Sequence, residues 1–391
     1  RVQHKLRRRA MKTMRIAACL VLFQIAAGAH AVEPQLKSAL ERAQDNRGEI
    51  EQALKRAPKA QKSAMQFLVR YMPTHDLQTL KADYLLKNVD RAYMTWQTSP
   101  WKEHVPEPVF LNNVLPYACI NEKRDEWRAE FQERFYPLVK DAKSPAEAAA
   151  LLNQNIFKLL NVKYSTQRKK ADQSPSESIE TGLASCTGLS VLLVDACRSV
   201  GIPARFVGTP LWSNRSGNHS WVEIWDNGWH FTGAAEPTGN ELNKGWFVGR
   251  ASTAERDNPI HAIYAVSYKH TPTAFPMVWA PNHKDVFAVN VTDRYTQLKE
   301  ELPDGFVRVM FVATKRSTQS NSPQRVRSKL SIIDPSGKQV FNGLTNDESF
   351  DANDHISVPL KLGDTYKIQV SGHDARKLTV AAEEQLVRFD N

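Results

Sequence analysis

The chain of 391 residues is long enough to form two or three domains with a sizeable core. Its hydrophobic content of 41% and charged content of 24% are ordinary for a globular protein. The net charge of +10 arises mainly from the first fifteen residues, since the rest of the chain carries 45 basic and 42 acidic side chains. The body of the chain therefore gives no electrostatic case for a nucleic-acid partner.

The N-terminal region has the three parts of a secretory signal. A basic start at residues 11–15 precedes a short apolar stretch at 16–27, and Ala29-His30-Ala31 fits the small-x-small cleavage pattern. The apolar stretch is too short to span a membrane comfortably. We therefore expect residues 1–31 to be a signal peptide region, and the mature protein to be exported to the periplasm or the extracellular space. No later segment is predicted to cross a membrane.

Residues 32–143 have the pattern of a helical N-terminal domain. Leu36, Leu40 and Ala43 recur at helical spacing, and Asp76 is placed to cap a helix after the break at Pro73. A Pro-rich stretch at 100–116 is predicted to be irregular.

A second predicted domain, residues 144–285, begins with Ser144-Pro145-Ala146-Glu147, a helix-capping signature with proline in the first turn. Further along, small residues lead into Cys186, an apolar-periodic helix follows, and Gly201 closes that helix. The first turn of a helix offers the positive end of the macrodipole and unpaired N–H groups, which favour the nucleophilic thiolate. A strand-like run with His219 near its head follows at 217–225.

This order of features closely resembles the transglutaminase-like superfamily of papain-type thiol enzymes, in its bacterial exported form. The resemblance covers roughly residues 145–270, and its motifs are the Cys186 helix, the Gly201-Ile202-Pro203-Ala204-Arg205 run and the Trp-Val-Glu strand behind His219. It implies an α+β core in which a helix packs on an antiparallel sheet. It also implies that Cys186 is the nucleophile and His219 the base.

The family usually has an aspartate on the strand after the histidine strand, and this chain has none there. Asn227-Gly228 predicts a two-residue hairpin turn that pairs Asp226 with Trp229, and this register places Glu236 opposite His219. Glu236 is therefore the predicted third catalytic residue. A bulge at Gly233 would shift the register by one residue.

Other residues compete for roles in the site. Asp226 lies about 23 Å from His219 along an extended strand, and Glu223 is also distant. The backbone N–H of Cys186 is a natural oxyanion donor, and the side-chain donor stays open among Gln154, Asn155 and Trp212.

Residues 286–391 change character: strand follows strand without helices, which predicts a C-terminal β-sandwich. The chain has no CxxC and no HExxH sequence, and we predict no metal and no cofactor. Once Cys19 leaves with the signal, Cys119, Cys186 and Cys197 remain. An odd number leaves at least one free thiol, and a Cys119–Cys197 disulfide stays open.

The sequence therefore predicts an exported thiol enzyme that hydrolyses amide or peptide bonds through Cys186, His219 and Glu236, or that transfers the acyl group to an amine. Export suggests a protein, peptide or peptidoglycan-peptide substrate. The alternative, which the missing aspartate leaves open, is a non-catalytic binding or assembly protein on the same scaffold.

Overall fold

The computed structural model describes residues 34–298, 302–316, 323–381 and 384–390. Helices and sheets are both present, which confirms the predicted α+β class. The predicted signal peptide, residues 1–31, lies outside the described residues. Within the described ranges no helix is long and apolar enough to cross a membrane. The chain forms two compact units that divide between Asp90 and Arg91, inside a helix.

The first compact unit is helical, because aliphatic side chains recur on one face of each helix and are buried against the next. The amide of Asn46 fastens two turns of this unit by donating to the carbonyls of Leu77 (2.9 Å) and Leu80 (2.8 Å). Asp76 lies inside a helix that begins at Thr74, so it does not cap that helix as predicted. The helices are α1 (34–42), α2 (Arg47–Arg56), α3 (Lys62–Tyr71), α4 (Thr74–Thr79) and α5 (Ala82–Thr98), with 3-10 turns at Gln44–Asn46 and Lys59–Gln61.

In the second unit one buried helix, α10 (Cys186–Ser199), packs against α7 (Arg128–Val139), α8 (Pro145–Leu159) and α9 (Pro175–Thr181). Helix α8 begins as the sequence predicts. The hydroxyl of Ser144 accepts from Glu147 N–H at the start of α8, and Ser174 and Glu177 form a capping box at α9. The elements are α6 (Glu107–Asn113), α7 (Arg128–Val139), α8 (Pro145–Leu159), α9 (Pro175–Thr181), α10 (Cys186–Ser199), α11 (Val248–Ala251) and α12 (Thr292–Thr296), with a 3-10 turn at Lys102–His104.

The central sheet is antiparallel and has six strands in the order β5-β4-β3-β6-β8-β7. Helix α10 packs against β3 and β4, as the resemblance implied, and every residue from Thr187 to Ser199 is buried. The strands are β3 (Ala204–Thr209), β4 (His219–Trp225), β5 (Trp229–Thr232), β6 (Tyr264–Ser267), β7 (Thr273–Ala274) and β8 (Phe287–Asn290); a separate parallel pair is formed by β1 (Lys163–Tyr164) and β2 (Leu183–Ala184).

Two further sheets form the C-terminal part, in the orders β10-β9-β13, with β16 also on β9, and β12-β11-β14-β15. Side chains of both sheets share one core that includes Phe311, Ile332, Ile368 and Phe389, so the two sheets form a sandwich. The strands are β9 (Phe306–Lys315), β10 (Gln324–Arg325), β11 (Lys329–Ile333), β12 (Gln339–Leu344), β13 (Ile356–Lys361), β14 (Thr365–Val370), β15 (Arg376–Thr379) and β16 (Gln385–Asp390).

Strand β8 lies just after residue 286, where the C-terminal domain was predicted to begin. Its residues 287–290 pair with β6, so they continue the central sheet, and the sandwich strands begin at Phe306. The division into 1–31, 32–143, 144–285 and 286–391 stays a prediction.

Candidate active site

Cys186 is the first residue of α10. The hydroxyl of Ser185 caps the helix by accepting from the Gly188 N–H at 3.1 Å. Gly188 permits close packing here, since a Cβ at that position would lie 3.2 Å from the Cβ of Ala184. The thiol is therefore held at the positive end of a buried helix, while Cys186 itself stays partly exposed.

His219 begins β4 and lies opposite Thr209 of β3. Only 1% of its side chain is exposed, because aromatic rings surround it, and the ring centroids of Trp246 and Phe247 lie 4.7 and 5.1 Å away. Neither ring nitrogen has a hydrogen-bond partner among the described residues. Each nitrogen instead has a carboxylate oxygen nearby, at 3.5 Å from Nδ1 and 4.0 Å from Nε2.

The predicted hairpin register is wrong by one residue. Trp225, not Asp226, pairs with Trp229, and the loop contains three residues rather than two. Asn227 adopts a left-handed conformation with φ of 54°, and the Asp226 N–H bonds to the Gly228 carbonyl at 2.9 Å. The carboxylate of Asp226 accepts from the Ala146 N–H at 3.3 Å, at the start of α8.

Glu236 reaches His219 by a different route from the one predicted. Regular pairing between β4 and β5 ends at Thr232, and the chain then turns back so that Gly233 bridges Glu236. A side chain at Gly233 would overlap the Glu236 carboxylate. The resulting distance from Glu236 Oε2 to His219 Nε2 is 4.0 Å, longer than a hydrogen bond.

The amide of Asn153, on α8, holds this turn. Its nitrogen donates to Gly233 O at 2.8 Å and to the Thr232 hydroxyl at 3.0 Å, while its oxygen accepts from Ala235 N–H at 2.9 Å. Three hydrogen bonds from one buried side chain fix the backbone that carries Glu236.

Asp351 is a site residue that the sequence analysis missed. It lies in the segment between β12 and β13, and its Oδ2 atom is 3.5 Å from His219 Nδ1. Its carboxylate, the Cys186 sulfur and a ring nitrogen of His219 lie within 4.8 Å of one another. The short-range patterns of the sequence contain no signal for this contact, because it depends on how the sandwich packs.

The charges of these groups are coupled. Burial lowers the pKa of His219, but the negative charge and the contact of Asp351 outweigh burial and leave that pKa well above its usual value. Burial raises the pKa of Asp351, and the imidazole reverses the effect, so the Asp351 pKa is lowered. Burial raises the pKa of Glu236 to about 7, against the attraction of His219.

A cavity of about 680 Å³ adjoins these side chains. Its charged lining residues are three acids and two lysines, and its apolar wall contains Phe157 and Trp246; the charged residues are Glu236, Asp351, Asp354, Lys158 and Lys163. A cavity of this size accommodates a peptide side chain or a small ligand.

The three candidate oxyanion donors differ in position. Gln154 donates to Gly239 O at 2.9 Å, and Asn155 donates to Leu151 O at 2.7 Å, both on the surface. The Trp212 indole nitrogen is buried and has no partner in the part of the chain that the structure describes. Its ring centroid lies 6.2 Å from that of His219, so Trp212 is the one of the three that the fold brings beside the site.

Glu223 belongs to a buried network of charged and polar side chains. It is fully buried, and it contacts Arg205 Nη2 at 2.6 Å, the Tyr295 hydroxyl at 2.8 Å and the guanidinium of Arg294. These partners satisfy its charge, so its role is structural.

Replacing Glu223 with glutamine should lower the free energy of unfolding by about 3–5 kcal/mol, because Arg205 would remain buried without its counter-charge. Urea unfolding measures this loss, and Glu241→Gln serves as the control, since the Glu241 side chain is 64% exposed. A loss below about 1 kcal/mol for Glu223→Gln would contradict the role of the network.

The three described cysteines are free, so the disulfide considered between Cys119 and Cys197 does not form. The Cys119 sulfur instead lies 3.6 Å from Asp195 Oδ1 and 3.9 Å from Arg198 Nη1. Cys119, Glu122 and Asp195 could offer three ligand atoms to a metal, but the guanidinium of Arg198 already supplies a positive charge there. Cys186, His219 and Asp351 also offer donor types that zinc accepts. The expectation of no metal stays a prediction.

Comparison with known proteins agrees with the motif resemblance. Residues 133–234 match the Transglutaminase-like superfamily. No curated protein matches the chain.

Similar solved structures include a candidate cysteine protease from Cytophaga hutchinsonii, with 20% identity, a TM-score of 0.25, and coverage of 28% of this chain and 38% of that one. The Bacillus anthracis TIE protein has 14% identity, a TM-score of 0.17, and coverage of 49% and 30%. Red sea bream transglutaminase has 10% identity, a TM-score of 0.24, and coverage of 76% and 60%. The chain thus spans less than two thirds of each of these structures.

Proposed function

We propose that this protein is an exported thiol acyl-transfer enzyme that hydrolyses amide or peptide bonds. The observation that carries the proposal is that the Cys186 sulfur, at a helix start, lies within 4.8 Å of a ring nitrogen of His219, at a strand start, while Glu236 lies 4.0 Å from His219 Nε2. A nucleophile, a base and a group that orients the base are the parts that such chemistry requires.

The reaction follows from these positions. His219 takes the thiol proton, and the sulfur of Cys186 attacks the carbonyl carbon to form a C–S bond. The imidazolium then gives its proton to the amine nitrogen as the C–N bond breaks, which leaves a thioester. Water loses a proton to His219 and its oxygen attacks the thioester carbon. The C–S bond then breaks and the imidazolium returns its proton to the sulfur, so the products are a carboxylic acid and the regenerated thiol. An amine in place of water would give transamidation.

The role of Glu236 is electrostatic in this proposal. As a carboxylate near Nε2 it stabilises the imidazolium. It also favours the neutral tautomer that carries its proton on Nε2, which leaves Nδ1 free to accept the thiol proton. The separation of 4.0 Å requires the side chain to approach when substrate binds. Proteins, peptides and peptidoglycan peptides are the substrates that export would make available.

A second candidate function is that of a binding or assembly protein without turnover. The 4.0 Å gap between Glu236 and His219 favours it, since no hydrogen bond from Glu236 orients the imidazole at this distance. The two functions differ in the reactivity of one thiol.

Labelling with iodoacetamide near neutral pH distinguishes them. We expect Cys186 to react at least about a hundred times faster than Cys119 and Cys197, because it lies at a helix N-terminus and is partly exposed. Burial raises the pKa of both other thiols, which makes them internal controls. Peptide mass spectrometry after timed quenching gives the three rates. Equal, slow labelling of all three in the folded protein would favour the binding function.

A further inference from the structure

The segment that carries Asp351, here called the 345–355 loop, is held by hydrogen bonds. The guanidinium of Arg325 donates to three of its carbonyls, those of Phe350 (2.6 Å), Asp351 (2.8 Å) and Asp354 (3.3 Å). These hydrogen bonds fix the conformation of the loop, and they therefore fix the position of Asp351.

The same loop is fastened to the catalytic core. The Asn353 amide donates to Asn218 O at 3.0 Å, and Arg250 donates to Asn353 O at 2.7 Å. Gly217 leaves room for this contact, because a Cβ there would overlap the Asn353 amide. The sandwich therefore supplies one wall of the site.

Asp351 and Glu236 approach opposite nitrogens of the His219 ring, at Nδ1 and Nε2. Asp351 also comes close to the Cys186 sulfur, and Glu236 is not in that group of three. Asp351 consequently lies on the side of the imidazole where the thiol and the reacting carbonyl meet.

That side is also where the amine leaves. His219 passes the thiol proton to the leaving amine, so the amine nitrogen must come within hydrogen-bond reach of the nitrogen that faced the thiol. A substrate in this position places its amine fragment beside the Asp351 carboxylate.

Among the described residues no lysine or arginine forms a salt bridge with Asp351, and the two lysines that line the cavity, Lys158 and Lys163, are set against three carboxylates. Arg325 and Arg250 direct their bonds to backbone carbonyls, and Asp354 and Glu236 add acidic groups to the same cavity. The imidazole is the partner of Asp351, and it loses its positive charge once the proton passes to the amine.

From this placement, and on the basis of the proposed function, we propose that Asp351 is a specificity-determining residue that selects substrates whose amine fragment is cationic. The carboxylate pairs with an ammonium next to the scissile nitrogen, or with a cationic amine that attacks the thioester. Attraction between opposite charges in a partly desolvated site is strong enough to discriminate against anionic fragments.

The test uses three thiol reagents of different charge, so it needs no substrate. They are (2-aminoethyl), (2-sulfonatoethyl) and methyl methanethiosulfonate, which are cationic, anionic and neutral. The rate at Cys186, located by peptide mass spectrometry, is divided by the rate of the same reagent with 2-mercaptoethanol. We expect a cationic-to-anionic ratio of at least about ten in the wild type.

Asp351→Asn should reduce this ratio at least about fivefold. Asparagine keeps an oxygen for the Asn353 N–H, which Asp351 Oδ1 accepts at 2.9 Å, and circular dichroism confirms that the fold is retained. Asp354→Asn is the matched control, because it removes the same charge from the same loop and cavity, and should change the ratio less than about threefold.

Two results would overturn the inference while leaving the proposed function intact. One is a ratio that Asp351→Asn does not change. The other is a rise of more than about tenfold in the rate of the neutral reagent with Asp351→Asn, which would mean that Asp351 obstructs the thiol. Slow reaction of wild-type Cys186 with the neutral reagent is a different result, because it would overturn the proposed function on which the inference rests.

Discussion

Replacing Cys186 with alanine is expected to abolish turnover, with a loss of at least about a thousandfold, because no other group in the site can form the thioester. Alanine suits the first position of a helix, and the Ser185 cap does not depend on the thiol. The folded state should therefore survive. Libraries of peptides and peptidoglycan peptides, incubated with wild type and variant, would show cleavage with the wild type alone.

Cys197→Ala is the matched control for this experiment, since it makes the same change in the same helix. Cys197 is fully buried in the core, so this variant should keep turnover within about threefold of the wild type and lose some stability. Turnover that persists in Cys186→Ala, with circular dichroism showing equal folding of both variants, would exclude the thiol mechanism.

The position of Cys186 could be predicted from the sequence because the signals that place it are local. Ser185 caps α10, the apolar repeat buries it, and Gly201 follows its end with a positive φ of 85°. Each signal acts within a few residues. The α+β class and the strand that begins at His219 follow from similar short-range patterns.

The rest of the site depends on contacts that short-range patterns do not encode. The left-handed Asn227 lengthens the hairpin loop by one residue, and the turn at Gly233 then brings Glu236 back toward His219. The predicted register was wrong, yet Glu236 lies 4.0 Å from His219 because of this turn. Asp351 reaches the site only because the sandwich packs on the core, and the sequence patterns around it indicate a loop and nothing more.

Glu236→Gln should reduce turnover about a hundredfold at pH 8, because glutamine keeps the shape of the side chain and removes the charge that stabilises the imidazolium. Glu236→Asp should give an intermediate loss, since the shorter side chain extends the 4.0 Å separation from His219 Nε2. Asp226→Asn is the control. Its carboxylate contacts Ala146 N–H instead of the site, so turnover should stay within about twofold. A greater loss for Asp226→Asn than for Glu236→Gln would refute the assignment.

The pH dependence of the Glu236→Gln effect gives a stricter test than its size. Burial raises the pKa of Glu236 to about 7, so the wild type loses the Glu236 charge as the pH falls through 7, whereas glutamine has no charge to lose. The ratio of wild-type to variant turnover should therefore be largest at pH 8 and fall toward one below pH 6. Turnover profiles from pH 5 to 9 on one peptide substrate measure this ratio. A large ratio that stays constant with pH would mean that Glu236 acts through shape or hydrogen bonding, because only a role for its charge makes the ratio follow its titration.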